Sequence, residues 1–99
     1  MSRGAALVTG AAKRIGRAIA LELAGAGFDV AVHHRASPEE AESAAEAVRA
    51  RGVRAVTIAA ELTDAPALDA LLPRAAEALG PVTLLVNSAS LFADDRIQG

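Results

Sequence analysis

The stretch that decides the fold reads Ala5-Ala6-Leu7-Val8-Thr9-Gly10-Ala11-Ala12-Lys13-Arg14-Ile15-Gly16. A short apolar run ends at Thr9, and apolar residues at helical spacing begin at Ile15. Gly10 allows a tight turn between them because it has no Cβ, and Gly16 allows the helix to pack closely on the strand. The first free N–H groups of such a helix form a phosphate site. The stretch therefore predicts the opening of a nucleotide-binding β-α-β unit.

The composition favours a sheet that is buried on both faces. The 99 residues are 53% hydrophobic and only 2% aromatic, as expected of small apolar strands covered by alanine-rich helices. The formal net charge of -2 argues against an extended nucleic-acid surface. The chain has no cysteine, which excludes a disulfide framework and a thiolate metal site. His33 and His34 are adjacent in a predicted strand, so they point to opposite faces and make a poor metal pair.

The chain shows no sign of export or of a membrane anchor. No apolar run approaches the ~20 residues that span a bilayer, and the first residues lack the pattern of a signal peptide. We therefore expect a cytoplasmic protein with no membrane, nucleic-acid or metal partner.

Strands and helices alternate along the whole chain. The predicted strands are Ala5–Thr9, Asp29–His34, Val53–Ala60 and Val82–Asn87, and the predicted helices run from about Ala11 to Ala24, Pro38 to about Arg51 and about Ala65 to Leu79. We predict that Ser37 caps the second helix in a capping box with Glu40, and that Pro73 kinks or splits the third.

This alternation predicts an α/β fold, a Rossmann-type doubly wound parallel sheet with the order β-α-β-α-β-α-β along the chain. Right-handed crossovers then give the strand order 3-2-1-4 in space. Ligands bind beyond the carboxyl ends of the strands, at the switch point between strands one and four.

The residues at the end of strand two and directly after it indicate which coenzyme binds. They read His33-His34-Arg35-Ala36-Ser37, without the carboxylate that binds the ribose 2'-hydroxyl in NAD sites. Arg35 can pair with a 2'-phosphate through two N–H donors. Ser37 can add a hydrogen bond, and Arg14 on the neighbouring turn is a second cation. The stretch predicts NADP(H), and the alternative is an ordinary surface arginine beside a helix cap.

The glycine turn also resembles that of a known family. Thr9-Gly10-x-x-x-Arg14-x-Gly16 is similar to the T-G-x-x-x-G-x-G coenzyme loop of short-chain dehydrogenases/reductases. Arg14 replaces the middle glycine, and the Lys-Arg pair resembles the pteridine reductase branch. The residues after strand four resemble the family's Asn-Asn-Ala-Gly turn, with the Ala-Ser ending of the same branch. The resemblance extends from about Leu7 to Phe92.

Taken with the analysis of strand two, the resemblance implies a set of site residues. The implied coenzyme-binding residues are Gly10, Lys13, Arg14, Ile15, His34, Arg35, Ser37, Glu61, Leu62, Asn87, Ser88, Ala89 and Ser90. Glu61 stands where the family has an Asp that meets the adenine. Ser90 would contact phosphate or substrate, and Phe92 would stack on a pterin ring. The alternatives are a dipole-stabilised Glu61, a structural Asn87 and a Phe92 that only packs.

The activity that the resemblance implies is hydride transfer from NADPH to a C=N or C=O bond of a small molecule, with a pterin as one candidate. The family's catalysis uses a Tyr-x-x-x-Lys motif, but the chain has no tyrosine and Lys13 is its only lysine. We therefore expect residues 1–99 to be an NADP(H)-binding half-domain, incomplete relative to the family, which supplies the coenzyme site alone.

Two alternatives to this enzyme remain open. The chain could be a non-catalytic module that binds NADP(H) or another nucleotide, or an α/β domain without any nucleotide. Strand four is very apolar at Leu84-Leu85-Val86, and an uncovered edge of that kind invites aggregation. We expect further chain or a second copy to cover it, and we expect a homo-oligomer.

Overall fold

The computed structural model describes residues 4–10, 14–35, 37–60 and 65–87, without the side chains at positions 14, 65–69 and 87. The elements are β1 (Ala5–Thr9), α1 (Arg14–Gly25), β2 (Asp29–His34), α2 (Pro38–Arg49), β3 (Ala55–Ala59), α3 (Ala65–Leu79) and β4 (Val82–Asn87). Their order confirms the predicted alternation.

The four strands form one parallel sheet in the order β3-β2-β1-β4. At the centre of the sheet, Leu7 of β1 lies opposite Ala31 of β2 and Leu85 of β4. The predicted Rossmann-type topology is therefore confirmed. Because all strands run the same way, their carboxyl ends meet at one edge, with β1 and β4 as neighbours at the switch point.

Helices cover both faces of the sheet. Val8, Val30 and Val32 belong to a core cluster with α1 and α2, whereas Leu7 and Ala31 belong to a second cluster with α3. The helices contribute small residues to the first cluster, namely Ala20, Ala24, Ala41, Ala44 and Ala45. Small side chains let the helix axes lie close to the strands, and this is why so alanine-rich a chain can form a packed core.

A glycine cap ends α1. The N–H of Gly27 donates to the carbonyl of Ala24 at 3.0 Å, and the N–H of Phe28 donates to that of Leu23 at 3.0 Å. These two bonds form a Schellman motif. Gly27 has φ +101°, a conformation that a Cβ disfavours. The helix ends at Gly25, one residue after the predicted Ala24.

The predicted ends of β3 and α2 need correction. Pairing in β3 begins at Ala55 rather than Val53, because the N–H of Arg54 donates to the Asp29 carboxylate at 2.8 Å. The Arg54 guanidinium also donates to that carboxylate at 3.1 Å and to the carbonyl of Leu79 at 2.8 Å. Helix α2 ends at Arg49 instead of about Arg51, because residues 50–52 form a turn in which the N–H of Gly52 donates to the carbonyl of Arg49 at 2.9 Å.

Helix α3 is continuous through Pro73, so the prediction that this residue splits the helix is wrong. Pro73 is exposed, whereas Leu71 and Ala75 on either side of it are buried against the sheet. Packing of these neighbours compensates for the backbone hydrogen bond that proline cannot make.

The outer edge of the sheet at β4 carries apolar side chains. Leu85 is 41% exposed, and Leu84 and Val86 are half-buried. In the described parts of the chain, no helix is long and apolar enough to cross a membrane. The cover predicted for this edge stays a prediction.

Two glycines with positive φ provide a matched test of the packing between β1 and β4. Gly4 has φ +108°, and a Cβ there would lie 2.7 Å from Oγ1 of Thr83, whereas Gly52 has φ +91° and open space around it. We expect Gly52→Ala to cost about 1–2 kcal/mol from backbone strain, and Gly4→Ala to cost about 1–3 kcal/mol more from the clash. Urea denaturation measures both values. Equal costs would show that Thr83 gives way freely.

Candidate functional site

The candidate site lies at the carboxyl edge of the sheet, where β1 turns into α1. Thr9 ends β1, is fully buried and lies opposite Asn87 of β4. Its Oγ1 donates to the carbonyl of Val86 at 3.3 Å. This bond ties the end of β1 to that of β4, so the switch point is held closed beneath any bound ligand.

Gly10, the first residue after β1, has the backbone conformation that a tight turn requires. Gly10 has φ +65°, the left-handed region that glycine enters without steric cost. Gly16 is buried in the first turn of α1, and Ile15 beside it is 44% exposed. Arg14 opens the helix, so the N-terminal end of the α1 dipole lies at the carboxyl edge.

Beyond β2, the predicted 2'-phosphate residues lie close together along the chain. Arg35 is exposed and Ser37 is half-buried. His34 is buried, and its Nδ1 accepts a hydrogen bond from the N–H of Ser37 at 3.3 Å. This bond bends the chain after β2 and holds the start of α2 against the strand end.

The predicted role of Ser37 as a helix cap is wrong. Its side chain makes no cap hydrogen bond, and its backbone angles of φ -129° and ψ 63° do not match a capped start, where the residue lies in the β region. Because its hydroxyl makes no cap bond, the serine half of the capping box does not form, and the Ser37 N–H, which the box would direct to Glu40, donates to His34. Pro38 stands at the start of α2 as predicted. The Ser37 hydroxyl therefore takes no part in capping α2.

His33 is the residue that sequence reasoning missed. It is 2% exposed. Its Nδ1 accepts from the N–H of Gly10 at 2.9 Å, and its Nε2 lies 2.9 Å from the carbonyl oxygen of Ala60. The ring thus spans β1, β2 and β3 where they end. The sequence did contain a signal for this role, namely a polar residue near the end of an otherwise apolar strand. If such a strand is buried, the polar side chain needs hydrogen-bond partners.

These contacts fix the protonation of the ring. Nδ1 accepts a hydrogen bond, so the proton lies on Nε2, which donates to Ala60. Burial lowers the pKa of His33 from its ordinary value of 6.5. The bond to Ala60 raises this pKa, whereas the charges of His34 and of Arg74 on α3 lower it further. The neutral ring is the form that the structure favours.

The predicted site residues fall into three groups. The described side chains or turns at the carboxyl edge are those of Gly10, Ile15, His34, Arg35 and Ser37. The structure describes only the backbone of Arg14, at the start of α1, and of Asn87, at the end of β4. The remaining predicted residues lie outside the described residues: Lys13, Glu61, Leu62, Ser88, Ala89, Ser90 and Phe92. Among the described residues, no group of three His, Cys, Asp or Glu side chains could hold a metal ion.

Comparison with known proteins agrees with this geometry. The family model described as short chain dehydrogenase matches residues 4–98. The chain is 41% identical over 90 residues to the 3-oxoacyl-[acyl-carrier-protein] reductase FabG of Staphylococcus aureus. That match covers 91% of this chain and 37% of FabG, so the chain spans about a third of the length of such relatives.

Solved structures give the same result. Acetoin dehydrogenase YohF from Salmonella typhimurium superposes with a TM-score of 0.79 at 34% identity, over 88% of this chain and 36% of that one. FolM alternative dihydrofolate reductase 1 from Brucella suis, in complex with NADP, superposes with a TM-score of 0.74 at 37% identity, over 84% and 33% of the two chains.

The lowered pKa of His33 makes the fold sensitive to acid. Above pH 6.5 the ring is neutral in both folded and unfolded chains, so its full contribution to stability is present. As the pH falls from 6.5 toward the lower folded pKa, only the unfolded chain takes up the proton, and stability falls by up to ~1.4 kcal/mol per pH unit. We expect His33→Gln to lose less stability over this range than the wild type, measured by urea denaturation at several pH values. If the stability of the two proteins changed equally with pH, the lowered pKa of His33 would be contradicted as the cause of the acid sensitivity.

Proposed function

The chain belongs to the short-chain dehydrogenase/reductase family, and we propose on this basis that it is the coenzyme-binding half of an NADP(H)-dependent reductase. Residues 1–99 hold the dinucleotide, and the rest of the protein supplies the groups that act on the substrate. The observation that carries the choice of coenzyme is the exposed Arg35 at the end of β2, in a stretch from 33 to 37 without any acidic residue.

The residues at the carboxyl edge fit a dinucleotide phosphate. The Gly10 turn has no Cβ to obstruct a pyrophosphate, and the positive end of the α1 dipole lies beside it. Arg35 would pair with the 2'-phosphate, and the Ser37 hydroxyl, which does not cap α2, would donate a further hydrogen bond. Lys13 and Arg14 would add positive charge near the phosphates.

Bound NADPH supplies the hydride, and the residues of this chain bind and orient the coenzyme. Asn87 ends β4 next to Thr9, and the small residues Ser88 and Ala89 after it would let the backbone approach the ribose. Glu61 and Leu62 follow β3, where they would meet the adenine.

For the substrate, we propose a ring with a C=N bond, as in a pterin. The Lys13-Arg14 pair and the Ala89-Ser90 turn resemble pteridine reductases, and the likeness to FolM alternative dihydrofolate reductase 1 supports the same class. The likeness to FabG makes a 3-oxoacyl thioester the comparison substrate. NADPH consumption by the protein from its complete gene, with a dihydropterin and with a 3-oxoacyl thioester, tests the choice. Turnover of the thioester but not of the dihydropterin would contradict the proposed pterin substrate and favour a 3-oxoacyl thioester.

Arg35→Ala tests the coenzyme assignment. We expect NADPH affinity to fall about tenfold to a hundredfold, because a hydrogen bond to a charged group contributes ~1.5–3 kcal/mol, while NADH affinity stays nearly unchanged. Fluorescence titration of the protein from its complete gene measures both dissociation constants. Arg51→Ala, an exposed arginine after α2, is the matched control for the loss of one positive charge. Equal losses for NADPH and NADH would overturn the assignment to NADP(H).

Ser37→Ala separates phosphate binding from helix capping. An N-cap serine contributes ~1 kcal/mol to stability, but Ser37 makes no cap bond, so we expect thermal stability to change by less than about 0.5 kcal/mol. NADPH affinity should fall about threefold to tenfold, since one hydrogen bond is lost. Thermal denaturation and coenzyme titration of the same preparation provide both numbers. A destabilised variant with normal NADPH affinity would restore the capping role.

A further inference from the structure

We infer that His33 is a positioning residue for the coenzyme: its neutral ring fixes the Gly10 turn against the end of β3. The inference rests on the proposed function, because the turn and the strand end are two places where the dinucleotide would bind. His33 itself is buried, with 2% exposure, so it acts through the backbone on either side of it.

The ring replaces backbone pairing where the strands diverge. The ladder between β1 and β2 ends at Val8 opposite Val32. Two residues later, the N–H of Gly10 has left the sheet and donates instead to Nδ1 of His33 at 2.9 Å. Without this acceptor, a partly buried N–H at the base of the turn would lack a partner, which costs more than an ordinary hydrogen bond.

The other nitrogen reaches the neighbouring strand. Nε2 lies 2.9 Å from the carbonyl oxygen of Ala60, the residue that follows β3. The width of one imidazole therefore sets the spacing between Gly10 and Ala60. The segment after Gly10 is predicted to bind the pyrophosphate, and Glu61 and Leu62 after Ala60 are predicted to meet the adenine. One rigid ring thus determines where both segments leave the sheet.

Protonation would break this arrangement at one end only. A second proton on Nδ1 would face the N–H of Gly10, donor against donor, whereas Nε2 would keep its bond to Ala60. Within the described residues, the charged or titratable groups that act on the ring are His34 in the same strand and Arg74 on α3. Arg74 donates to the carbonyl of Ala59 at 3.3 Å, next to the carbonyl that His33 binds. Both groups oppose a positive charge on the ring.

The chemistry of amide side chains allows the two bonds to be tested separately. In His33→Asn, Oδ1 occupies the position of Nδ1 and can accept from Gly10, but the side chain is too short to reach Ala60. In His33→Gln, Nε2 occupies the position of the ring Nε2 and can donate to Ala60, but the acceptor for Gly10 is lost. His33→Phe keeps the ring and removes both bonds.

A positioning role and a purely structural role of His33 predict different orders of coenzyme affinity for the two amide variants. Glutamine is closer to histidine in volume than asparagine is, so packing alone favours His33→Gln. If His33 positions the turn, His33→Asn should retain the higher coenzyme affinity, because it keeps the bond to Gly10. The order of the two variants therefore distinguishes positioning from packing.

The experiment measures dissociation constants for NADPH and NADH by fluorescence titration, near pH 7.5, with the protein from its complete gene. We expect His33→Asn to bind within about threefold of wild type, and both His33→Gln and His33→Phe to lose about tenfold or more. The loss should be equal for the two coenzymes, since the turn binds the part that they share. Val48→Ala, which truncates a buried side chain of α2, is the control for destabilisation, with melting temperatures measured for every variant.

Other results would overturn either the inference about His33 or the proposed function. Higher affinity in His33→Gln than in His33→Asn, or wild-type affinity in both, overturns the inference about His33. The same holds if Val48→Ala loses as much affinity as His33→Gln at a similar melting temperature. A wild-type protein that binds neither coenzyme overturns the proposed function itself, and with it the role of His33. Failure of His33→Phe to fold leaves the comparison of the asparagine and glutamine variants decisive.

Discussion

The structure depends on one constraint, the complete burial of β1. All five of its residues have no exposed surface, because β2 and β4 pair with its two edges and helices cover its two faces. A strand in this position must satisfy every backbone group through parallel neighbours, and it must be apolar on both sides. The strand order and the two-sided helical cover follow from this requirement.

Burial of β1 also explains why the functional groups collect at one edge. Polar side chains are disfavoured in the middle of strands that are buried on both faces, and in β1 and β2 they appear only where the strands end. At the amino-terminal edge, Asp29 and Arg54 serve packing, since the guanidinium also binds the last carbonyl of α3 at Leu79. At the carboxyl edge, Thr9 and His33 organise the turn and the strand ends around it. The same sheet thus has one edge that serves packing and one edge at which we propose that the coenzyme binds.

The sequence was sufficient to predict the topology, because apolar runs separated by glycine turns and alanine-rich amphipathic helices have few arrangements. It was less informative where side chains compete with the backbone. The late start of β3 depends on Asp29, which lies 25 positions earlier in the chain and accepts the hydrogen bond of the Arg54 N–H. At Ser37 the hydroxyl makes no cap bond, and the N–H that a capping box would direct to Glu40 donates to His34 instead. Propensity rules describe local preferences and cannot register such tertiary partners.

The coenzyme site was predicted from the same kind of rules, and for the same reason its supporting contacts were not. Gly10 and Arg35 are recognisable by residue type at a strand end. The role of His33 required knowledge of which backbone groups the ring meets, since its partners Gly10 and Ala60 lie 23 and 27 residues away. A histidine at the end of a strand has many possible partners, and only the assembled sheet selects among them.

The position of β4 beside β1 has a consequence for biosynthesis. The hydrogen bond from Thr9 to Val86 joins residues 77 positions apart, so during synthesis β1 gains its second neighbour only after β4 has been made. Until then the edge of β1 that faces β4 has no partner strand, and a growing chain in this state exposes an unpaired backbone edge. Contacts of such long range slow folding. Synthesis of β4 is therefore the step after which β1 can be paired on both edges and the nascent chain loses this exposed edge.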